Sequence, residues 1–425
     1  DCIVNGMDNH RYINAMNLNS SVGIPLTGKK SVYCTLLKPG DEYYVEGREK
    51  RTVNSQIMTV YLDERDKLRR GERINILGKS NVKDEIREKD GSRIFYSTSI
   101  TFIMHIREYF LPIMTVLQMF PELSECMVGI SAHDDWEKIV NHLFVDKPDK
   151  EYIGGDYSSW DAKLCSQIMY YAIGGFIKFA EMSKNYDEGD VIAMRTLREE
   201  LCYPYIANFG DLIGYNSGTH ISGNAITVFV NSVANSILMR CAYYDMKGFV
   251  LSGDKRDKTC NDKIVPFREN IAIIVYGDDM NGATIDKEFN NVTIHKFLAN
   301  YNIGFTMPDK KAEIVPFIDG IDFIKRKTVY IPELKRVCGA LLESSILKSA
   351  RMRTDGELSD RELMISNMDN AAYEYMFHGK EVYTENVDKL RVIAKKHDLY
   401  SSTIFLRMDY DQIMAHKVDS ETHRS

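Results

Sequence analysis

The chain has 425 residues, of which 44% are hydrophobic and 27% charged, with a formal net charge of −7. That length allows two or three subdomains around sizeable cores, and that balance excludes a chain disordered along most of its length. An acidic total also excludes a uniformly basic nucleic-acid coat, although not a basic channel inside an acidic shell.

The first hundred residues mix turn residues with basic clusters, "PLTGKKS", "EGREKRT" and "RDKLRRGER". Such runs either form a solvated face or line a path for phosphates. The stretch Ile100 to Phe120 predicts one or two helices broken at Pro112. "EYIGGDYSSWD" predicts a short strand running into a turn with carboxylates at its end. "AKLCSQIMYYAIGGFIKFAEM" has helical spacing interrupted at Gly174 and Gly175. "CYPYIANFGDLIGYNSGTHISG" reads as strand and loop, and "NAITVFVNSVANSILMRCAYY" as a long apolar helix that tertiary packing must support. "NIAIIVYGDDMNGATI" predicts a hairpin with two aspartates at its tip. An amphipathic helix follows in "NVTIHKFLANYNI", then a second hairpin in "GIDFIKRKTVYIPE". Beyond about Pro332 the pattern is mainly helical. The order predicts an α+β fold, its antiparallel-rich core covered by helices on one face.

Eight cysteines are scattered without a C-x-x-C pair. They read as reduced cytosolic thiols rather than as a zinc or disulfide framework. No signal peptide pattern stands at the start, and no apolar run is expected to reach the roughly 20 residues of a membrane span. The chain opens on Asp1 rather than Met and is expected to be cut from a longer product.

Two aspartate sites carry the chemistry. Asp156 lies in "GGDYSSWDAKL", and Asp278 and Asp279 in "VYGDD"; each site ends or turns an apolar strand. If those strands are neighbours, Asp156 and Asp278 converge. Mg²⁺ favours such a cluster, because it takes a few carboxylates plus substrate phosphates. Two ions roughly 3.5–4 Å apart can activate an attacking hydroxyl and stabilise a leaving pyrophosphate. A bare Gly-Asp-Asp is weak on its own, since these are ordinary hairpin residues. Its company strengthens it. Ser222, Gly223, Thr227 and Asn231 form S-G-x-x-x-T-x-x-x-N, with Thr227 and Asn231 one helical turn apart on one face. An Asn beside an Asp can read sugar hydroxyls, having donors and acceptors between them. Asp161 is the candidate Asp. The alternative for Asn231 is a polar residue satisfied inside a helix packing site.

Taken together, these residues resemble the RNA-dependent RNA polymerases of picornavirus-like positive-strand RNA viruses, with the marine picorna-like group the nearest in flavour. The resemblance runs from about Asn19 to about Pro332 with its motifs in order. "NSSVGIPL" resembles motif G, which implies that Ser21, Gly23 and Pro25 guide the RNA template. "KDEIREKDGSRIF" resembles motif F, which implies triphosphate contacts for Lys83, Arg87 and Arg93, with Lys89 beside them. "DYSSWD" resembles motif A, with Asp156 as metal ligand and Asp161 as ribose sensor. "SGNAITVFVN" resembles motif B, and "YGDD" motif C, with Asp278 as principal and Asp279 as secondary metal ligand. "TMPDKK" resembles motif D, which implies that Lys310 is the general acid for pyrophosphate. "FIKR" resembles motif E, which implies that Lys325 and Arg326 support the primer strand.

The resemblance implies a closed right hand. Its expected parts are fingers over 1–115, lacking their N-terminal portion, palm over 116–203, a return to the fingers over 204–220, palm over 221–332, and a mainly helical thumb over 333–425. It implies two Mg²⁺ ions, replaceable by Mn²⁺, and as partners an RNA template and primer and ribonucleoside triphosphates. A protein primer and other viral replication proteins are further expected partners. The implied location is the host cytoplasm, at replication complexes reached through peripheral membrane contacts. Two departures stand out. Few residues precede motif G, so activity in isolation is an open expectation. The 247–271 segment is longer than expected and reads as a surface insertion. The rival readings are a reverse transcriptase, an RNA-binding fragment with a dead catalytic site, and an unrelated Mg²⁺ phosphohydrolase. A carboxylate at Asp161, where reverse transcriptases usually place a bulky aromatic, argues against the first. Intact aspartates argue against the second, and motifs B, F and G against the third.

Overall fold

The computed structural model describes residues 1–425 apart from 84–91, 145–146, 148, 209–211, 216–219, 250, 253–254, 257–263, 308–312, 354–357 and 423–425. Near the N-terminus, strands β1 (Cys34–Leu36) and β2 (Arg51–Val53) pair antiparallel. Helix α1 (Ser55–Arg69) follows; Asn54 caps it, accepting from Ile57 N at 2.9 Å. Strands β3 (Leu77–Val82) and β4 (Ile94–Ser97) form an antiparallel pair. Helix α2 (Ile100–Met119) is capped by Ser99, which accepts from Phe102 N. Val4, Met16 and Val22 share a core with Ile57 and Tyr61 of α1 and Ile100 and Met104 of α2.

Helix α2 does not break at Pro112. That residue lies on the solvent side, where the carbonyl left without its N–H partner can be hydrated. The helix is also long and apolar enough, by length and composition, to cross a membrane, which the sequence reading did not expect. Here two thirds of its most apolar stretch is buried in the protein, and its two charged residues are engaged. Arg107 donates to the carbonyls of Ile3 and Asn14, and Glu108 accepts from Tyr61 at 2.6 Å and Arg65 at 2.7 Å.

Helix α3 (Trp136–Phe144) and strand β5 (Glu151–Ser158) precede two long helices, α4 (Ser166–Ser183) and α5 (Glu188–Cys202). Helix α4 runs unbroken through Gly174 and Gly175. Added side chains there would meet only Arg198 or open space, so packing does not require either glycine, and each costs about 1 kcal/mol of helix propensity. Strands β6 (Tyr205–Asn208) and β7 (Leu212–Tyr215) then return to the β3–β4 pair, β6 lying parallel to β3. Buried Glu200 fixes this return, accepting from the backbone N–H groups of Asn75 and Ile76 and from Arg73.

Helix α6 (Thr227–Met246) leads into the segment expected as an insertion. Its described part holds the two-residue strands β8 (Leu251–Ser252) and β9 (Lys255–Arg256). Strands β10 (Ile271–Tyr276) and β11 (Asp279–Thr284), helix α7 (Asn291–Ala299) and strand β12 (Gly304–Thr306) follow. The central sheet has the order β10-β11-β5-β12 and every neighbouring pair is antiparallel. Both of its faces are covered, not one. Ile271, Ile273 and Val275 of β10 join the large core with α4, α5 and α6. Ala272 and Ile274 face a second cluster built on Trp136, Ile139 and Leu143 of α3. A strand packed on both faces loses its polar alternation, and so "IAIIVY" is a continuous apolar run.

Strands β13 (Asp322–Phe323), β14 (Arg326–Ile331) and β15 (Arg336–Leu341) form a three-stranded antiparallel sheet. A strand therefore comes before the helices expected after Pro332. Those are α8 (Glu343–Ala350), α9 (Asp360–Tyr375), α10 (Lys380–Lys396) and α11 (Tyr410–Thr422). They enclose their own core with Ile331 and Cys338 of the sheet. All seven described cysteines are free thiols.

Candidate active site

The pairing of Tyr276 with Asp279 leaves Gly277 and Asp278 as a two-residue hairpin loop. Gly277 has φ 66°, the left-handed value that a type II′ turn reserves for glycine at its first loop position. Asp278 stands exposed at the tip. Asp279 turns inward, and its carboxylate accepts from Ile324 N at 2.7 Å. Burial pushes the Asp279 carboxyl up to about 6; the Ile324 N–H and Lys325 oppose the rise, and Asp278 and Asp156 add to it. The three carboxylates thus share one electrostatic field.

Asp156 reaches that field because β5 is the immediate neighbour of the hairpin. Met280 pairs with Gly155, so Asp156 comes next to the residue that opens β11. On its other side Asp156 pairs with Thr306, whose hydroxyl donates to the Asp156 carbonyl at 3.3 Å. The two glycines before Asp156 have a packing reason. A Cβ on Gly155 would sit 2.3 Å from the Phe305 ring, and one on Gly154 would sit 2.7 Å from the Asn281 amide nitrogen.

Helix α6 holds the turn from behind, and the sequence reading missed the residues that do it. Ser232 Oγ accepts from Gly277 N at 2.9 Å while donating to the Val228 carbonyl. Asn235 donates to the carbonyls of Gly277 at 3.3 Å and Asp278 at 3.4 Å, and its Oδ1 accepts from Tyr157 OH at 2.9 Å. One buried amide therefore ties the residue after Asp156 to the turn that carries Asp278. The available signal was a run of polar residues, Asn231, Ser232 and Asn235, inside a helix too apolar to leave them in water.

Thr227 opens α6, and its hydroxyl donates to the Ile221 carbonyl at 3.4 Å. Asn231 lies one turn further on, 6% exposed, and its Oδ1 has no hydrogen-bond partner among the described residues. A buried acceptor of that kind is set to receive a donor. Asp161 lies in the one-turn helix Trp160–Lys163; its side chain is outside what the structure describes. Ser222 and Gly223 form the loop before α6, against β4. A Cβ on Gly223 would sit 1.8 Å from the Tyr96 carbonyl oxygen, and one on Gly23 would sit 2.0 Å from that of Thr98. The loops bearing Ser222 and Ser21 therefore press on the same backbone segment, which only glycine permits at that approach. Ser21 and Pro25 are exposed.

Lys83 and Arg93 are exposed where the β3–β4 pair opens, joined by the bond from Lys83 N to Arg93 O at 2.8 Å. Arg87, Lys89 and Lys310 lie outside the described residues. Lys325 is exposed in the β13–β14 turn and acts electrostatically on Asp279.

Arg326, which the resemblance implies supports the primer strand, has its guanidinium engaged within the protein. It donates to both oxygens of Glu374 on α9, at 2.9 and 2.8 Å, and to the Gly339 carbonyl at 2.8 Å. A planar fork that has found a carboxylate and a carbonyl has little left for a phosphate. Burial would push the Glu374 carboxyl up, but His133 and Arg326 outweigh it and hold the carboxyl at about 2. Because the folded value lies below the ordinary one, the pairing stabilises fully above about 4.5 and is lost as pH falls through about 2. We expect the melting temperature of the parent chain to exceed that of Glu374→Gln at pH 7, corresponding to roughly 3 kcal/mol. That gap should narrow by about half or more on acidification to pH 3 and vanish only below about pH 2, which parallel thermal melts would read. A gap independent of pH would exclude the ion pair as its source.

Among the described residues, no three His, Cys, Asp or Glu side chains close on one point as a ready ion cage. Mg²⁺ does not require one, since it completes its octahedron with waters and substrate phosphates. Asp278 and Asp156 supply hard oxygens of the right kind. Asp279, already committed to the Ile324 N–H, is the outer member of the group.

An antiparallel sheet with carboxylates at a hairpin tip, a second small sheet and a separate helical core together make the right-hand polymerase fold. A solved Sicinivirus 3Dpol RNA-dependent RNA polymerase matches it with a TM-score of 0.72 at 17% identity, covering 97% of this chain and 79% of that one. The chain belongs to the family described as viral RNA-dependent RNA polymerase, which it matches over residues 3–394. It is 25% identical to the replicase polyprotein of Drosophila C virus over 416 residues, 92% of this chain and 22% of that protein. It is also 25% identical to the replicase polyprotein of Cricket paralysis virus over 331 residues, 74% of this chain and 18% of that protein. The chain thus spans about a fifth of the length of these curated relatives.

Proposed function

We propose that this chain carries out template-directed RNA synthesis, transferring nucleotides from ribonucleoside triphosphates to an RNA 3′-hydroxyl. The observation that carries this is the meeting of Asp156 with Asp278 and Asp279 on neighbouring strands, in a member of a viral polymerase family. Asp156 and Asp278 would hold Mg²⁺. Bound there as a pair, the ions would lower the pKa of the attacking hydroxyl and stabilise charge on the transferring phosphoryl group. Lys83, Arg93 and Arg87 would neutralise the triphosphate, and Lys310 would protonate the departing pyrophosphate, a contribution of about 10²–10⁴-fold. Asn231, with its unmet Oδ1, and Asp161 would read the ribose hydroxyls. Selection by hydrogen bonding is strong because a sugar lacking the hydroxyl leaves buried groups unpaired. The same reading divides the chain into fingers, palm and thumb at the bounds given above, and makes a protein primer one of its partners.

The test is primer extension on a short RNA template with Mg²⁺, with ribonucleotides and deoxyribonucleotides side by side. Extension with ribonucleotides alone is expected. An Asn231→Asp chain should accept deoxyribonucleotides more readily before it loses turnover. Efficient deoxyribonucleotide use by the parent chain would favour a reverse transcriptase instead. Unchanged sugar preference in Asn231→Asp would remove Asn231 from the ribose site.

A further inference from the structure

At the end of β10 away from the catalytic turn lies a cavity of 520 Å³. Strand β10 spans Ile271–Tyr276, so at about 3.3 Å per residue the cavity sits roughly 16 Å from that turn. Ile271 and Ala272 line it on one side, helix α3 and the residues after it on another, and the chain from Glu122 to Glu125 on a third. Four cations line it: Lys138, Lys147, Lys150 and Arg268. Two of them are already paired. Lys138 meets Asp135 at 3.0 Å, and Arg268 meets buried Glu125 at 3.1 Å. Arg240 also donates to both Glu125 oxygens, at 2.9 and 2.7 Å, so two guanidiniums answer that one carboxylate. Lys147 and Lys150 differ. Lys150 donates to the Leu143 carbonyl at 2.9 Å and Lys147 to the Glu269 carbonyl. Neither has a carboxylate within ion-pair reach among the described residues, although Glu122 and Glu269 line the same cavity. Burial, and after it the charge on Lys147, pulls the Lys150 pKa below its ordinary value. The two ammoniums therefore repel each other across one concave site. The field extends to His142. Burial lowers its pKa first, the Ile273 carbonyl and Glu125 oppose the fall, and Lys150 and Arg268 add to it.

We propose that this cavity binds the di- or triphosphate group of a small molecule, with Lys147 and Lys150 as the cations that it bridges. The volume falls within the range of small-ligand pockets, about 300–1,000 Å³. A phosphoanion presents several oxygens at once, so it can satisfy both ammoniums with charge-assisted hydrogen bonds. A peptide strand is the poorer occupant, because the edge of β10 is largely taken. Val275 N donates to the Glu125 carbonyl and the Val275 carbonyl accepts from Met127 N, both at 2.9 Å. The Ile273 carbonyl accepts from His142 Nε2 at 3.0 Å, and Ile271 N donates to the Phe267 carbonyl. Strand addition needs those groups. Lys150 also stands at the last turn of α3, where a cation suits the helix dipole; that role requires one lysine, not two. The reaction proposed above consumes a nucleoside triphosphate and releases pyrophosphate, and both carry the chemistry that this site selects. The binding itself does not depend on that reaction, so the two readings fail separately.

The experiment measures equilibrium binding of ATP and of inorganic pyrophosphate to the full chain with EDTA present, which withholds the metal that the carboxylate site needs. The variants are Lys147→Gln and Lys150→Gln. A chain carrying both Lys83→Gln and Arg93→Gln controls for the triphosphate contacts expected at the active site. Each single lysine variant should weaken binding about tenfold, the order of one hydrogen bond to a charged group, and the control chain should bind as the parent does. Tighter binding of ATP would identify a nucleotide as the ligand, tighter binding of pyrophosphate the free anion, and either supports the site. Absence of binding for both anions would overturn the proposal. So would binding that Lys147→Gln does not weaken, or binding lost in the control chain. Melting curves address the capping role. If Lys150→Gln melts lower yet binds both anions as the parent does, Lys150 is a helix cap and the proposal falls. Lys147 is half-buried and reaches only a carbonyl, so Lys147→Gln decides the matter should Lys150→Gln fail to fold.

Discussion

An Asp278→Ala chain is expected to lose RNA synthesis by roughly a thousandfold or more, the several kcal/mol that a metal-bound carboxylate supplies to a phosphoryl-transfer barrier, and yet to melt no lower than the parent in the absence of metal. The two halves have one cause. Asp278 is exposed at the hairpin tip and shares its field with Asp156 and with Asp279, whose carboxyl burial has already pushed up to about 6. Like charges held together oppose each other's ionisation, and removing one relieves the others. The backbone of the turn does not depend on the lost side chain, because Gly277 sets its shape and Ser232 and Asn235 hold its N–H and carbonyl groups. Thermal melts with and without Mg²⁺ separate the effects. The parent should gain stability with Mg²⁺, by mass action on the folded state, and Asp278→Ala should gain much less. Equal gains would place the ion elsewhere, and retained synthesis would remove Asp278 from the chemistry.

The sequence disclosed this site because its parts are local. A glycine-led hairpin, an apolar strand ending in Asp156, and a Ser-Gly loop before a helix each declare themselves within a dozen residues. Register could not be read that way. Whether β5 lies beside β10 or β11 depends on pairings made across more than a hundred residues, and only those bring Asp156 next to Asp279. The covering of the central sheet was misjudged for a related reason, since α3 packs on one face while α4, α5 and α6 pack on the other. A continuous apolar strand hinted at two buried faces without saying what covers them. The partner of Arg326 could not be read either, because a basic residue near a motif looks alike whether it faces a phosphate or a carboxylate; Glu374 is 48 residues away. Pro112 and the Gly174–Gly175 pair show the opposite limit. Local breakers give way when the helix around them is anchored by its buried side.

The second large effect falls on a residue that touches no substrate in this reading. Asn235→Leu should lower the maximal rate of RNA synthesis by about a hundredfold, the order expected when catalytic groups shift by about 1 Å, with a smaller change in the ribonucleotide KM. Three partners lose their hydrogen bonds at once: Tyr157 OH and the Gly277 carbonyl, both buried, and the part-buried carbonyl of Asp278. Each unmet group costs about 1–3 kcal/mol, so a fall in melting temperature is expected as well and proves nothing by itself. The discriminating readouts concern the carboxylates. Burial, and after it the Asp278 charge, keep the Tyr157 phenol protonated, so Asn235, Tyr157 and Asp278 form one linked unit. Loosening it should raise the Mg²⁺ concentration needed for half-maximal rate. Tyr157→Phe, which removes only the hydroxyl, should do the same to a lesser degree. The double variant should fall short of the sum of the two, as coupled neighbours do by roughly 0.5–3 kcal/mol. If Asn235→Leu lowers only the melting temperature, leaving the rate and its Mg²⁺ dependence unchanged, Asn235 is a packing residue and the turn that carries Asp278 keeps its place without it.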